Sequence, residues 1–213
     1  MADWSTIASL ATAGGTLILA TATFSSVRSG NRSARIAEQA LQIGLRPVLM
    51  HSRTNDPPQK IMWADDHWAR VNGAGATVDV VDDAVYLAMS LRNAGSGIAV
   101  IQGWWAAGDR LTSADGHAPP EDFRPQSRDL YVPAGDVSFW QAALRDADDP
   151  LFDGVTVAVR ERHLLTVDVL YSDHEGGQRT ISRFSLAPYD KEGTLQWLCS
   201  VVKHWNLDRA DPR

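Results

Sequence analysis

The chain has 213 residues, 20 basic and 26 acidic side chains, a formal charge of −6 and a single cysteine. Charge is unevenly divided: the first 46 residues hold four arginines against Asp3 and Glu38, and the remainder holds 16 basic against 24 acidic residues. An acidic main body lacks the basic face that phosphate backbones require, which argues against nucleic acid as a partner, and one cysteine excludes an intramolecular disulfide framework.

Residues 4–27 carry no charge. As a helix they are about 36 Å long, enough to cross a hydrocarbon core of roughly 30 Å. Ile7, Leu10, Leu17, Ile18, Leu19 and Phe24 supply the apolar surface, diluted by five threonines, four serines and Gly14-Gly15. Hydroxyl side chains are tolerated in lipid because they bond back to the carbonyl one turn earlier. Ala11 and Gly15 stand four apart, a spacing read as alanine-rich dilution rather than a dimerisation face, so a homo-oligomer stays open. Arg28, Arg32 and Arg35 follow the span, and the positive-inside rule places that side in the cytoplasm, with Trp4 at the opposite interface. The expectation is an uncleaved single-pass anchor in the inner (cytoplasmic) membrane, in contact with the lipid bilayer through residues 4–27 and oriented by Trp4, Arg28, Arg32 and Arg35. A cleaved secretory signal is the rival, because Ala20-Thr21-Ala22 offers a small-x-small site, but Met1-Ala2-Asp3 is not a basic n-region.

Residues 28–46 read as a juxtamembrane helix or linker. Ile36, Ala40 and Ile43 lie on one stripe, Gly30 offers a kink, and Gly44 and Pro47 give stop signals. Arg28, Arg32, Arg35 and Arg46 are placed to orient the anchor or to touch anionic headgroups.

From Pro47 onward, short β-rich runs alternate with Gly, Pro, Asp and Asn clusters. Strands are expected at 47–51, 60–70, 77–81, 85–93, 98–106, 128–132, 137–144, 155–159, 164–171 and 180–186. Alternation is clearest where Leu165, Val167, Val169 and Tyr171 oppose Thr166 and Asp168. The stretch 195–205 fits both helical spacing and alternation, and a closing helix is expected there. With no helix expected among the strands, a mainly β fold follows: an N-terminal transmembrane helix, then an immunoglobulin-like antiparallel β-sandwich over residues 47–213.

The glycine-rich run Asn93-Ala94-Gly95-Ser96-Gly97 leads into a strand, not a helix, so it reads as a connection needing positive φ rather than as a phosphate cradle. Asp65-Asp66-His67 and Asp173-His174-Glu175 combine metal-ligating side chains, yet neighbours on a strand point to opposite faces, and the second triplet ends in Gly176-Gly177, a hairpin turn. Cys199, among Leu198, Val201 and Val202, reads as a small buried hydrophobe. Eight tryptophans are many for this length; most should fill the core, but Trp104 and Trp105 are adjacent, so one faces outward on a strand, making this pair the candidate protein contact.

The order of the uncharged span, Asn31-Arg32-Ser33-Ala34-Arg35-Ile36-Ala37-Glu38, then Leu45-Arg46-Pro47-Val48-Leu49 and Leu91-Arg92-Asn93-Ala94-Gly95-Ser96-Gly97, resembles uncharacterised bacterial single-pass membrane proteins with a C-terminal β-rich domain. The resemblance covers about the first half of the chain and is one of layout. It implies the anchor and the β domain, and it transfers no functional residue.

The expected function is a non-enzymatic accessory or protein-interaction module, facing the cytoplasm and binding a membrane-associated protein through an edge strand or an aromatic patch. No catalytic, cofactor-binding or metal-ligating residue is assigned. Two alternatives stand beside it: a membrane-tethered hydrolase or metal-dependent enzyme drawing on His67, His163, His174, His204, Asp65 and Asp173, and an exported β-domain after signal cleavage.

Overall fold

A computed structural model describes residues 3–211 and divides the chain at Gly44/Leu45 into a helical unit and a β-rich unit. Helix α1 (Trp4–Gly44) runs unbroken through Gly30, and among the described residues its apolar side chains, Leu10, Leu17, Ile18, Leu19 and Phe24 included, are exposed. A helix exposing apolar residues on every side suits lipid, not water. Its hydroxyls are accommodated as expected: Thr12 donates to the Ala8 carbonyl at 2.9 Å, Thr16 to Thr12 at 2.8 Å and Ser25 to Thr21 at 2.8 Å. Among the described residues this one helix is long and apolar enough to cross a membrane, by length and composition. The side chain of Ile43, the third member of the expected stripe, lies outside the described residues.

The second unit is mainly β and antiparallel. Its strands are β1 (Leu49–His51), β2 (Gln59–Met62), β3 (Trp68–Val71), β4 (Gly75–Val81), β5 (Ala84–Asn93), β6 (Ala99–Ala107), β7 (Arg124–Val132), β8 (Val137–Leu144), β9 (Leu165–Ser172), β10 (Thr180–Lys191) and β11 (Thr194–Asn206), with helix α2 (Phe152–Arg160) between β8 and β9. Nine strands form one sheet in the order β1-β5-β4-β11-β10-β9-β6-β7, with β8 on the other edge of β5; β2 and β3 form a separate hairpin. The sheet curls around a single main core. Trp104 of β6 meets Trp140 of β8 edge-on at 5.7 Å, and Cys199 of β11 lies 3.7 Å from the Met89 sulfur of β5.

Both outer faces of the sheet are covered. On one limb, Ile61, Trp63 and Val71 of the β2–β3 hairpin pack on Tyr86 and Ala88. On the other, Phe123 packs with Leu170, Ile181 and Trp205. Beside this cluster the β9–β10 centre carries Asp168 and Arg183, both with fully buried side chains. The guanidinium donates to both Asp168 oxygens at 2.8 and 2.7 Å, and to the carbonyls of Thr112, Asp115 and Gly116. One cation thus satisfies a buried carboxylate and fastens the β6–β7 loop over the sheet.

Several expectations are corrected. Residues 195–205 are strand, not helix: β11 pairs with β10 from Lys191↔Thr194 to Thr180↔Asn206, and Val202 is left without an opposite number where Arg183 pairs Lys203 and Phe184 pairs Val201. That bulge reverses the inward–outward phase, so Trp197 and Cys199 enter the main core whereas Trp205 joins the outer cluster. A phase reversal within eleven residues is what imitated helical spacing. Residues 155–159 are helix, not strand, because Val155 and Ala158, three apart, are buried while Val157 is half-exposed; valine's β propensity yields to one-face burial. The run 60–70 is the β2–β3 hairpin, turning at Asp66 with φ +61°.

Arg46 does not reach for headgroups. It is 7 % exposed and donates to Thr180 Oγ1 and Asn206 Oδ1, each at 2.9 Å, and pairs with Asp208. Gly95 and Gly97 are not needed for positive φ; they are needed for close approach. A Cβ on Gly97 would stand 1.7 Å from the Leu45 carbonyl oxygen, and one on Gly95 2.3 Å from that of Arg46. Asn93 completes the clamp, accepting from the Val48 and Gly95 amides and donating to the Gly97 and Val132 carbonyls. The Leu45-to-Leu49 and Leu91-to-Gly97 motifs are therefore two sides of one contact.

Two stability predictions follow from these contacts. Asp168→Asn strands a buried cation and should cost about 3–5 kcal/mol, read as a lower urea midpoint, whereas the double variant Asp168→Leu/Arg183→Met should recover most of that loss. Gly97→Ala should cost about 1–3 kcal/mol by overpacking against Leu45, while Gly116→Ala, with open space around it, should leave the midpoint unchanged.

Candidate functional site

Two adjacent strands of the sheet meet only briefly. β4 and β11 pair at Gly75↔Leu198 and Ala76↔Trp197, with Cys199 N donating to the Ala74 carbonyl at 2.9 Å, and there the ladder ends. Beyond it β4 continues to Val81 and β11 extends back to Thr194. Each is held on its other edge: β4 by β5 up to Val81↔Ala84, β11 by β10 up to Lys191↔Thr194. Both hairpins close with two-residue turns, so the backbone groups of Val78, Val80 and Leu195 face the gap between the strands. Gly75 sits at the crotch of this fork.

The gap is a cleft of about 390 Å³, within the range of ligand sites. Its floor is apolar, with Val78 and Trp197 buried and Leu195 36 % exposed. Its rim is mixed: Tyr189, whose hydroxyl donates to Gln196 Oε1 at 2.6 Å, Leu198, Arg70 and Asp79. A strand edge that ends in mid-sheet over an apolar floor offers main-chain donors and acceptors to an incoming extended chain.

The residues singled out in sequence are dispersed. Trp4, Arg28, Arg32 and Arg35 lie exposed on α1. Trp104 is a core residue, 4 % exposed, whereas Trp105 is half-buried beside the outer cluster and is the member of the pair that keeps accessible surface. His163 follows α2, His174 lies in the β9–β10 turn, His67 in the β2–β3 turn and His204 on β11. Among the described residues no group of three or more His, Cys, Asp or Glu is placed to hold a metal ion. Cys199 is buried, and burial raises its thiol pKa well above the ordinary value.

Two polar clusters go beyond the sequence reading. At the hairpin turn His67 stacks on Tyr86 at 4.0 Å, and the Tyr86 hydroxyl donates to Asp65 at 2.6 Å. That bond, reinforced by Arg145, lowers the Asp65 carboxyl to about 2. Deeper in the domain, His204 Nδ1 is 2.7 Å from Ser182 Oγ, which is 2.9 Å from the Tyr171 hydroxyl, itself accepting from the Leu49 amide at 3.1 Å. The serine and histidine are at the separation of a nucleophile and its base. Ser182 and Tyr171 are both 0 % exposed, however, so the relay is sealed from substrate and serves to satisfy buried polar groups. Only the bulge at Val202, invisible in sequence, turns His204 inward.

No known protein family, curated protein or solved structure matches this chain.

Burial holds the His204 imidazole below its ordinary value of 6.5. The folded protein keeps this ring neutral where the unfolded chain has already taken up a proton, so its contribution to stability is complete above about pH 6.5 and is lost as pH falls below it. The melting temperature should therefore drop on acidification from pH 7 to 5, with a shallower drop in His204→Gln; equal slopes in both proteins would refute this role.

Proposed function

We propose that this protein is a membrane-tethered, non-enzymatic interaction module that captures an extended segment of a membrane-associated partner in the fork between β4 and β11. The observation that carries the reading is the ladder that stops at Ala76↔Trp197 while both strands continue. Strand addition there supplies backbone hydrogen bonds to Val78, Val80 and Leu195, and the apolar floor receives every second side chain of the incoming strand. Tethering by residues 4–27 raises the effective concentration of a partner in the same membrane, so modest affinity suffices. The arginines after the apolar span support an inner-membrane anchor with the β domain on the cytoplasmic side. The curled sheet encloses one core between its limbs, and that packing supports a sandwich of immunoglobulin-like type. Trp105 supplies a second, smaller contact for the same partner.

The test is site-specific photocrosslinking from intact membranes. A photoreactive residue at Thr77 or Gln196 should yield one defined adduct, and the same residue at Glu175, on the exposed β9–β10 turn, should yield none. Adducts equal to the Glu175 background would refute the fork as a binding site. An adduct of twice the chain's mass would replace the partner with a second copy of this protein.

A further inference from the structure

The β2–β3 hairpin covers the sheet with one face and leaves the other to solvent. Its inner face, Ile61, Ala69 and Val71, packs on the sheet. The outer face is formed by two directly opposed pairs, Lys60↔Arg70 and Met62↔Trp68. A solvated outer face is normally polar throughout, yet Met62 is 44 % and Trp68 50 % exposed. The two cations flank this apolar pair, and Lys60 Nζ sits 4.2 Å from the Trp68 ring centre. Pro58 and Ala69 border the shallow depression beside it.

We propose that this outer face is a second membrane contact, in which Trp68 and Met62 enter the headgroup layer while Lys60 and Arg70 pair with anionic lipid. Three features identify the occupant. First, an exposed tryptophan beside basic side chains is the composition that settles at a bilayer interface. Second, the patch is cationic on a body that carries 16 basic and 24 acidic residues beyond position 46, so its charge complements an anionic surface and opposes the rest of the domain. Third, the chain itself carries a helix long and apolar enough to span that bilayer. Of the two acidic side chains on the turn, Asp66 is exposed and Asp65 is engaged by Arg145 at 2.8 Å and by Tyr86; among the described residues neither Lys60 nor Arg70 forms an ion pair. The contact shares Arg70 with the rim of the fork, whereas Lys60, Met62 and Trp68 stand outside the cleft, so these three report on the hairpin face alone.

The experiment uses the full chain reconstituted in vesicles. Met62→Cys is labelled with an environment-sensitive fluorophore; the native Cys199 is buried and stays unlabelled. In vesicles of phosphatidylcholine with 30 % phosphatidylglycerol, as an assay condition of roughly one anionic lipid in three, the probe should shift to the blue and lose most of its accessibility to an aqueous quencher. In pure phosphatidylcholine it should remain accessible. Lys60→Gln and Arg70→Gln should each weaken the protected state about fivefold, the equivalent of one basic residue at the surface, and Trp68→Ser should abolish protection. All three residues are exposed, so the fold is retained, as circular dichroism will show. Full quencher access in both vesicles, equal protection in both, or protection that grows with the protein-to-lipid ratio would each overturn the proposal, the last by showing a contact between copies. Loss of fork crosslinking with retained hairpin protection would count against the proposed function alone.

Discussion

The arrangement of the β domain depends on one buried cation. Arg183, in the middle of β10, neutralises Asp168 on β9 and fastens three carbonyls of the β6–β7 loop. Its guanidinium lies 4.8 Å from the Trp205 ring, which reaches that face only because Val202 is bulged. Desolvation pushes the Asp168 carboxyl upward, against the pull of Arg183. Such a pair is costly to bury and more costly to break. What it provides is a set of hydrogen bonds that ties the Thr112, Asp115 and Gly116 carbonyls to the sheet.

With that loop over one limb and the β2–β3 hairpin over the other, the central strands are buried on both faces, which is why β9 contains no exposed residue. Backbone or apolar surface is still left unpartnered in places, the free edges of β7 and β8 among them. The fork between β4 and β11 is one, where each strand is held on its outer edge by a tight hairpin while the ladder between them stops at Ala76↔Trp197. The outer face of the β2–β3 hairpin is another, because a two-stranded cover has a second side. The two features carry the two proposals, one for an extended chain and one for an anionic surface.

The contact between residues 45–48 and 93–97 gives the β domain a firm beginning. Arg46 is bonded to the ends of β10 and β11 within two residues of the end of α1, and Gly95 and Gly97 admit the chain where no side chain would fit.

By itself the sequence determined the long apolar helix, because lack of charge over a bilayer's thickness is a property of consecutive residues. It also determined most strands, where burial on one face imposes a period of two, and the turn at Gly176-Gly177. The tertiary structure alone decided the rest. Whether 195–205 was helix or strand turned on its pairing along β10, and its mixed spacing reflects the bulge where Arg183 pairs Lys203 and Phe184 pairs Val201. Whether 155–159 was strand or helix turned on which neighbours waited to cover Val155 and Ala158. The roles of Gly95 and Gly97 depended on contacts with residues some fifty positions away, and that of Arg46 on Thr180 and Asn206, 134 and 160 positions away. The fork had no signature at all, since a ladder that fails to close is a relation between two strands more than a hundred residues apart, and no local pattern records it.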